Sequence, residues 1–380
     1  MIMPTILAAT MAMTHISSVE GEIWKEETLE AEPSARAALL FETDGATPCA
    51  GSVPWRAWGT TFNELDLDAL LFGGGATDAI DPNEMWLEGD RRKLFPRRLA
   101  TQDYFVQKPR YLQAYADMFV KFVQLYAAEG VPIDMVMYQN EAYSYTPYPG
   151  CPWTAEGTVR FNRDYLAPTL KSKCPGVKLY LGTFNTNRRG YIEQIIDAPN
   201  LLDSIDGLGF QWEGREVMEA ITAKYPGKHR ICSESECGNG RMDWRAAEHT
   251  SWLLFQNLGH GADEWYNWNF ILCDQGRSPW GWKQNALIRV ASVNRTYSYR
   301  PEYYAVRHFS QFIKPGAVQL AYLPWRDSVE AIAYRNPDGG IVVVVTNWAD
   351  ELRDVSFKIR GAVCNVRLKP HSFNTIVGRW

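Results

Sequence analysis

Paired cysteines, clustered histidines, excess positive charge and long apolar runs are all missing from this chain, and each absence closes off a class of function. Its seven cysteines, at positions 49, 151, 174, 232, 237, 273 and 364, form no C-x-x-C pair, so neither a zinc site nor a redox dithiol is expected. A disulfide involving Cys151 or Cys174 stays open if the protein is exported. The six histidines are scattered without H-E-x-x-H spacing, which argues against a metal-dependent hydrolase and gives no reason to expect a cofactor. A net charge of −5 argues against nucleic acid as a partner. No uninterrupted apolar run reaches the roughly 18 residues a membrane-spanning helix needs. The opening MIMPTILAATMAM is mildly apolar but lacks a basic start and a clear small-residue cleavage site, so the compartment stays open, with a lean towards export or the periplasm. Nothing in the sequence speaks to oligomeric state.

What is present fits one large barrel and a small module. The 380 residues exceed an average domain, and 46 % hydrophobic with 22 % charged residues is ordinary for a globular chain. The 15 Trp and 19 Tyr suit an aromatic-lined groove and equally a large core. Trp55–Asn63 reads as a first strand. The glycine triplet Gly73–Gly75 has no flanking strand, helix and Lys, and reads as a turn and not as a phosphate cradle. From Pro109 to Glu129 the pattern is helical: Pro109 suits a first turn, Leu112, Tyr115, Phe119, Phe122 and Tyr126 share one face, and Gly130 ends it. Beyond it, strands near Ile133–Tyr138, Lys178–Gly182, Ile205–Trp212, Arg230–Glu234 and Glu264–Asn269 alternate with helices near 154–172, 190–197, 214–224 and 244–258. That is the period of a parallel (β/α)8 barrel of the TIM type.

After Phe312 the composition changes to six short strands, 317–322, 329–335, 341–347, 355–359, 363–368 and 372–377, with Asn336-Pro337-Asp338-Gly339-Gly340 as a hairpin turn. They predict a C-terminal antiparallel β-sandwich. So small a module needs help to bury a core, and residues near 20–45, with Ala37–Phe41 as a candidate strand, are expected to add to it. The expected division is therefore 1–50 as a segment of the sandwich, 51–313 as the barrel and 314–380 as the sandwich.

Two stretches carry chemistry. The strand at 133–138 ends in Asn140-Glu141 and meets an aromatic loop of Tyr143, Tyr145, Tyr148 and Trp153. A carboxyl group at a parallel strand end can protonate a leaving oxygen, and flat rings suit the C–H faces of a sugar, so this combination points to a carbohydrate or glycoconjugate partner. The plainer alternative is that Glu141 caps the helix starting near Thr154. Arg230–Trp244 again places glutamates, Glu234 and Glu236, at a strand end. Two carboxylates about 5–5.5 Å apart give a retaining glycosidase and a wider gap an inverting one. Spacing alone does not rank Glu234 against Glu236. Tyr266-Asn267-Trp268-Asn269 adds aromatics that serve equally as a binding floor or as core.

PIDMVMYQNEAYSYTPYPGCPWTAEG at 132–157, ESECGNGRMDW at 234–244, SPWGWKQNALI at 278–288, RPEYYAVRHFSQFIKPGA at 300–317 and the closing HSFNTIV together resemble glycoside hydrolase family 30, which includes glucosylceramidases and β-1,6-glucanases. The similarity extends over 109–380 and over WGTTFNELDLDAL at 58–70. It implies a retaining β-glycosidase in which Glu141 is the acid/base and Glu234 the nucleophile. Asn140 then bonds the sugar 2-hydroxyl and Trp268 stacks on the ring; beside the resemblance, the aromatics Tyr143 and Trp212, with Gln211 next to Trp212, are read as further substrate contacts. Ala142 stands where the family usually has Pro. Gln211-Trp212-Glu213 stands where an aromatic or His-aromatic pair is common, which bears on sugar preference. Only 45 residues, Glu64–Lys108, remain for the second and third barrel strands, so an abbreviated barrel of six or seven strands is expected. A non-catalytic carbohydrate-binding remnant is the alternative function.

Overall fold

The computed structural model describes residues 15–20, 103–143, 151–273, 276, 282–291, 293–359 and 362–379. The expected first strand, the glycine triplet, the Ala37–Phe41 strand, Tyr145, Tyr148 and nearly all of the segment expected to be abbreviated lie outside them. The described residues divide into two units. One runs from 103 to 236 and includes His260–Asn267; the other contains strand β1 (His15–Glu20), Cys237–Gly259 and the chain from 268 onward.

In the first unit, helix α1 (Pro109–Ala128) begins and ends as its sequence predicts, with Pro109 in the first turn and Gly130 at φ +82 just past the end. Leu112, Tyr115, Phe119 and Phe122 are all buried. The single helix expected over 154–172 is instead α2 (Ala155–Phe161) and α3 (Ala167–Lys173), joined by a π turn at Asn162–Leu166. Pro168 has no N–H to return to the carbonyl of Asp164, so the helical ladder widens there. The cap of α2 is Thr154 and not Glu141, the Thr154 hydroxyl accepting from Gly157 N at 3.0 Å.

Strands β2 (Met135–Val136), β3 (Lys178–Phe184), β4 (Gly207–Gln211), β5 (His229–Glu234) and β6 (Glu264–Trp265) pair in parallel in that order. Helices α4 (Arg189–Ile196) and α5 (Arg215–Lys224) connect β3 to β4 and β4 to β5. Strand β2 is shorter than the sequence suggests. Past Val136 the backbone leaves the ladder, and the carbonyl of Tyr138 accepts from Tyr115 Oη at 2.9 Å.

Beneath that turn lies an aromatic core. Phe105 stacks on Tyr115 at 4.9 Å and on Trp153 at 5.1 Å, Phe161 lies 5.0 Å from Tyr115, and Tyr138 meets Trp153 edge-on at 5.5 Å. Trp153, expected in a sugar-facing loop, is fully buried in this cluster.

The second unit holds helix α6 (Trp244–Gly259), a small sheet of β7 (Ile271–Cys273), β8 (Ile288–Ala291) and β9 (Thr296–Tyr299), helix α7 (Pro301–Ser310) and the six C-terminal strands. Strands of three or four residues are too short to show a period, which is why β7 to β9 escape a sequence reading. Strands β10 (Val318–Arg326), β11 (Val329–Arg335), β12 (Ile341–Asn347) and β15 (Ser372–Gly378) form an antiparallel sheet ordered β1-β15-β12-β11-β10, with β1 on its margin. Strands β13 (Arg353–Ile359) and β14 (Ala362–Leu368) pair with each other. Alternate residues Ile341, Val343 and Val345 pack with Val329, Leu368 and Ile376 in one core. Among the described residues no helix is long and apolar enough to cross a membrane, and no disulfide joins Cys151 or Cys174 to another of them.

Two outcomes follow from the burial pattern. Trp153→Ala should cost about 3–5 kcal/mol in urea unfolding, because it empties the centre of the aromatic stack. Glu330 has no exposure, accepts from Gln256 Nε2 at 3.2 Å and Tyr322 Oη at 2.8 Å, and burial pushes its carboxyl up to about 7. Between its ordinary value of 4.5 and 7 the native state keeps a proton that the unfolded chain has released, so this group's stabilisation falls as pH rises through that window. The Tm of wild type should therefore drop relative to Glu330→Gln between pH 4.5 and 7 in paired thermal melts; a constant difference would refute the assignment.

Candidate active site

A parallel strand buried on both faces has no place for a polar side chain except at its end. In the first unit that edge collects Thr183 near the end of β3, Gln211 at the end of β4 and Glu234 at the end of β5, with Asn140 and Glu141 following β2. A continuous set of hydrogen bonds joins them. Glu141 N donates to Thr183 Oγ1 at 2.9 Å, Thr183 Oγ1 donates to Asn140 Oδ1 at 3.3 Å, and Gln211 Nε2 donates both to Asn140 Oδ1 at 3.1 Å and to Glu234 Oε2 at 3.3 Å.

Two bulges make this convergence possible. β3 and β4 pair Leu181 with Leu208 but then Phe184 with Phe210, one extra residue on β3. β4 and β5 pair Phe210 with Cys232 but then Gln211 with Glu234, leaving Ser233 as the extra residue. Ser233 Oγ lies on the side to which a Cβ on Gly209 would point, and Glu234 bonds Gln211, two residues after Gly209. Consecutive side chains, Ser233 and Glu234, thus turn to one side, as bulges allow. Backbone strain gathers here too: Glu141 at φ +48 and Trp212 at φ +45 occupy the left-handed region, which bulky residues enter at a cost of about 1–3 kcal/mol and which clusters at functional sites.

The geometry separates the two glutamates that spacing left unranked. β5 ends at Glu234, and Glu236 turns away to Arg215 at the start of α5, with Nη1 to Oε1 at 2.9 Å. The same Nη1 donates to Trp212 O at 2.9 Å. Glu141 is the more buried of the glutamates bracketing the chain of hydrogen bonds, while Glu234 is half-buried. Among the described residues no group of three or more His, Cys, Asp or Glu is placed to hold a metal ion.

Of the aromatics expected to face a ligand, Trp212 follows β4 directly and is half-buried. Tyr143 differs from expectation: it is fully buried, stacked on Phe184 at 5.0 Å and edge-on to Tyr191 at 5.5 Å, so both ring faces belong to the core. Trp268 is half-buried and belongs to the second unit. The sequence reading missed Thr183 and Arg215. A lone threonine in a buried strand and an arginine opening a helix carry no pattern; only the fold shows what they hold.

A family model described as "Glycosyl hydrolase family 30 TIM-barrel domain" matches residues 104–313, and another, "Glycosyl hydrolase family 30 beta sandwich domain", matches 316–376. The chain is similar to "Putative glucosylceramidase 4" of Caenorhabditis elegans, 26 % identical over 300 residues, covering 71 % of this chain and 57 % of that protein. It is also similar to "Endo-1,6-beta-D-glucanase" of Neurospora crassa, 23 % identical over 262 residues, covering 64 % and 53 %. SrfJ from Salmonella typhimurium shares the fold, with a TM-score of 0.67 at 20 % identity over 74 % of this chain and 65 % of that one. The chain spans about half the length of the curated relatives it matches.

Because one guanidinium supports both the backbone at Trp212 and the Glu236 carboxylate, Arg215→Met should destabilise by about 1–3 kcal/mol. Glu236→Gln keeps an acceptor in place and should cost less. Chemical denaturation of both variants checks the order, and equal losses would contradict it.

Proposed function

This chain belongs to glycosyl hydrolase family 30, and on that premise we propose that it is a retaining β-glycosidase acting on β-linked glucosyl conjugates or β-glucans. The observation that carries the reading is the hydrogen-bonded chain from Glu141 N to Glu234 Oε2 across the carboxyl ends of parallel strands. Support for the substrate class comes from relatives whose names specify glucosylceramide or β-1,6-glucan hydrolysis.

In this mechanism the Glu234 carboxylate attacks the anomeric carbon as Glu141 gives its proton to the departing glycosidic oxygen. The C–O bond to the leaving group breaks and a glycosyl ester forms on Glu234. Water then loses a proton to Glu141 and attacks the same carbon, releasing Glu234 as a carboxylate and a sugar of unchanged anomeric configuration. Asn140 donates to the 2-hydroxyl, and Trp212 supplies an aromatic face. Glu236 takes no part, since its carboxylate is engaged by Arg215.

A panel of aryl β-glycosides tests the proposal. The β-glucoside should be cleaved faster than the β-xyloside or β-fucoside, with the β-anomer of the free sugar appearing first by proton NMR. Glu234→Gln should abolish turnover, Glu141→Gln should lower it by about 10²–10⁴, and Glu236→Gln should leave most of it. Saturable glycoside binding with no hydrolysis of any member would establish a non-catalytic binding protein instead.

A further inference from the structure

Resting on the roles just assigned to Asn140 and Glu234, we propose that Gln211 is a positioning residue. Its side-chain amide fixes which face of Asn140 meets the substrate and ties that face to the nucleophile.

The directions of the hydrogen bonds carry this inference. At one end the donor is beyond doubt, because Glu141 N is a backbone N–H, and it occupies a lone pair of Thr183 Oγ1. The hydroxyl proton is left for another partner, and in the structure it goes to Asn140 Oδ1. At the other end Glu234 is a carboxylate acceptor. Gln211 lies between two acceptors, Asn140 Oδ1 and Glu234 Oε2, and only its nitrogen satisfies both.

The arrangement has a cost that shows it is imposed. Gln211 is 3 % exposed, and its Oε1 is buried without a hydrogen-bond partner. A flipped amide would set Oε1 against both acceptors, so the demands on the nitrogen outweigh the orphaned oxygen.

The consequence falls on Asn140. With Oδ1 taken by Thr183 and Gln211, its half-exposed amide keeps Nδ2 for a ligand, and that nitrogen donates to no described residue. The site is thereby set to recognise a hydroxyl as acceptor beside the reacting carbon. Gln211 also donates to Glu234 through a group that does not titrate, favouring the ionised nucleophile. Among the described residues, titratable groups near Glu234 include Cys232 on its own strand and the Glu236–Arg215 pair, with Glu141 at the far end of the hydrogen-bonded series. Tyr266, whose carbonyl accepts from Ser235 N, gives its hydroxyl to Glu264.

Two variants test this: Gln211→Leu, which removes the donor, and the near-isosteric Gln211→Glu, which replaces it with an acceptor. Both are compared with wild type by thermal melts to establish folding. On an aryl β-glucoside, Gln211→Leu should lose about 10–100-fold in kcat/KM, the worth of a hydrogen bond to a charged group. On the 2-deoxy analogue it should lose much less, so the preference for the 2-hydroxyl collapses. A merely structural role lowers both substrates equally, and that result would overturn the proposal.

A second readout needs no turnover. In protein labelled with ¹³C at glutamate carboxyls, with the Glu234 signal assigned by its absence in Glu234→Gln, the Glu234 titration should move up by about one pH unit in Gln211→Leu. It should move further in Gln211→Glu. An unmoved titration in both variants would refute the positioning role. A moved titration in a protein that hydrolyses no glycoside would uphold it while rejecting the proposed activity.

Discussion

Burial on both faces is the constraint from which the rest of the first unit follows. The residues of β3 after Lys178 and all of β4 are buried, so short of the strand ends their side chains are apolar or small, and Gly207 and Gly209 leave room for their neighbours Tyr180 and Met137. Polar groups are pushed to the strand ends, and parallel pairing brings those ends to the same edge. Thr183, Gln211 and Glu234 owe their proximity to this sorting. What refines it is local: two extra residues, one in β3 and one in β5, rotate the last side chains of each strand until the acceptors and donors meet.

Much of this was legible in the sequence, and the limits have physical causes. The face of α1 shows because a period of 3.6 survives over 20 residues, and β12 shows because IVVVVTN admits no other element. The strand-end glutamates show because carboxylates after an apolar run need an explanation. Glu234 and Glu236 were not separable, because their difference depends on a bulge and on an arginine at the head of another helix, neither of which leaves a trace in spacing. Tyr143 and Trp153 were read towards the ligand and lie in the core, since an aromatic ring has the same composition signature in a groove and in a core. Gln211 was visible only as a departure from a family pattern; its bridging amide needed the fold.

The bulge at Ser233 makes the count of residues in β5 matter as much as their identity. Side chains on a strand alternate, so the phase of everything after an insertion or deletion reverses. The extra Ser233 is that insertion: it lets Cys232 keep step with Phe210 and Glu234 with Gln211, whereas drawing Ser233 into a regular ladder would set it opposite Gln211 and swing Glu234 to the other face, with every functional side chain still present in the chain.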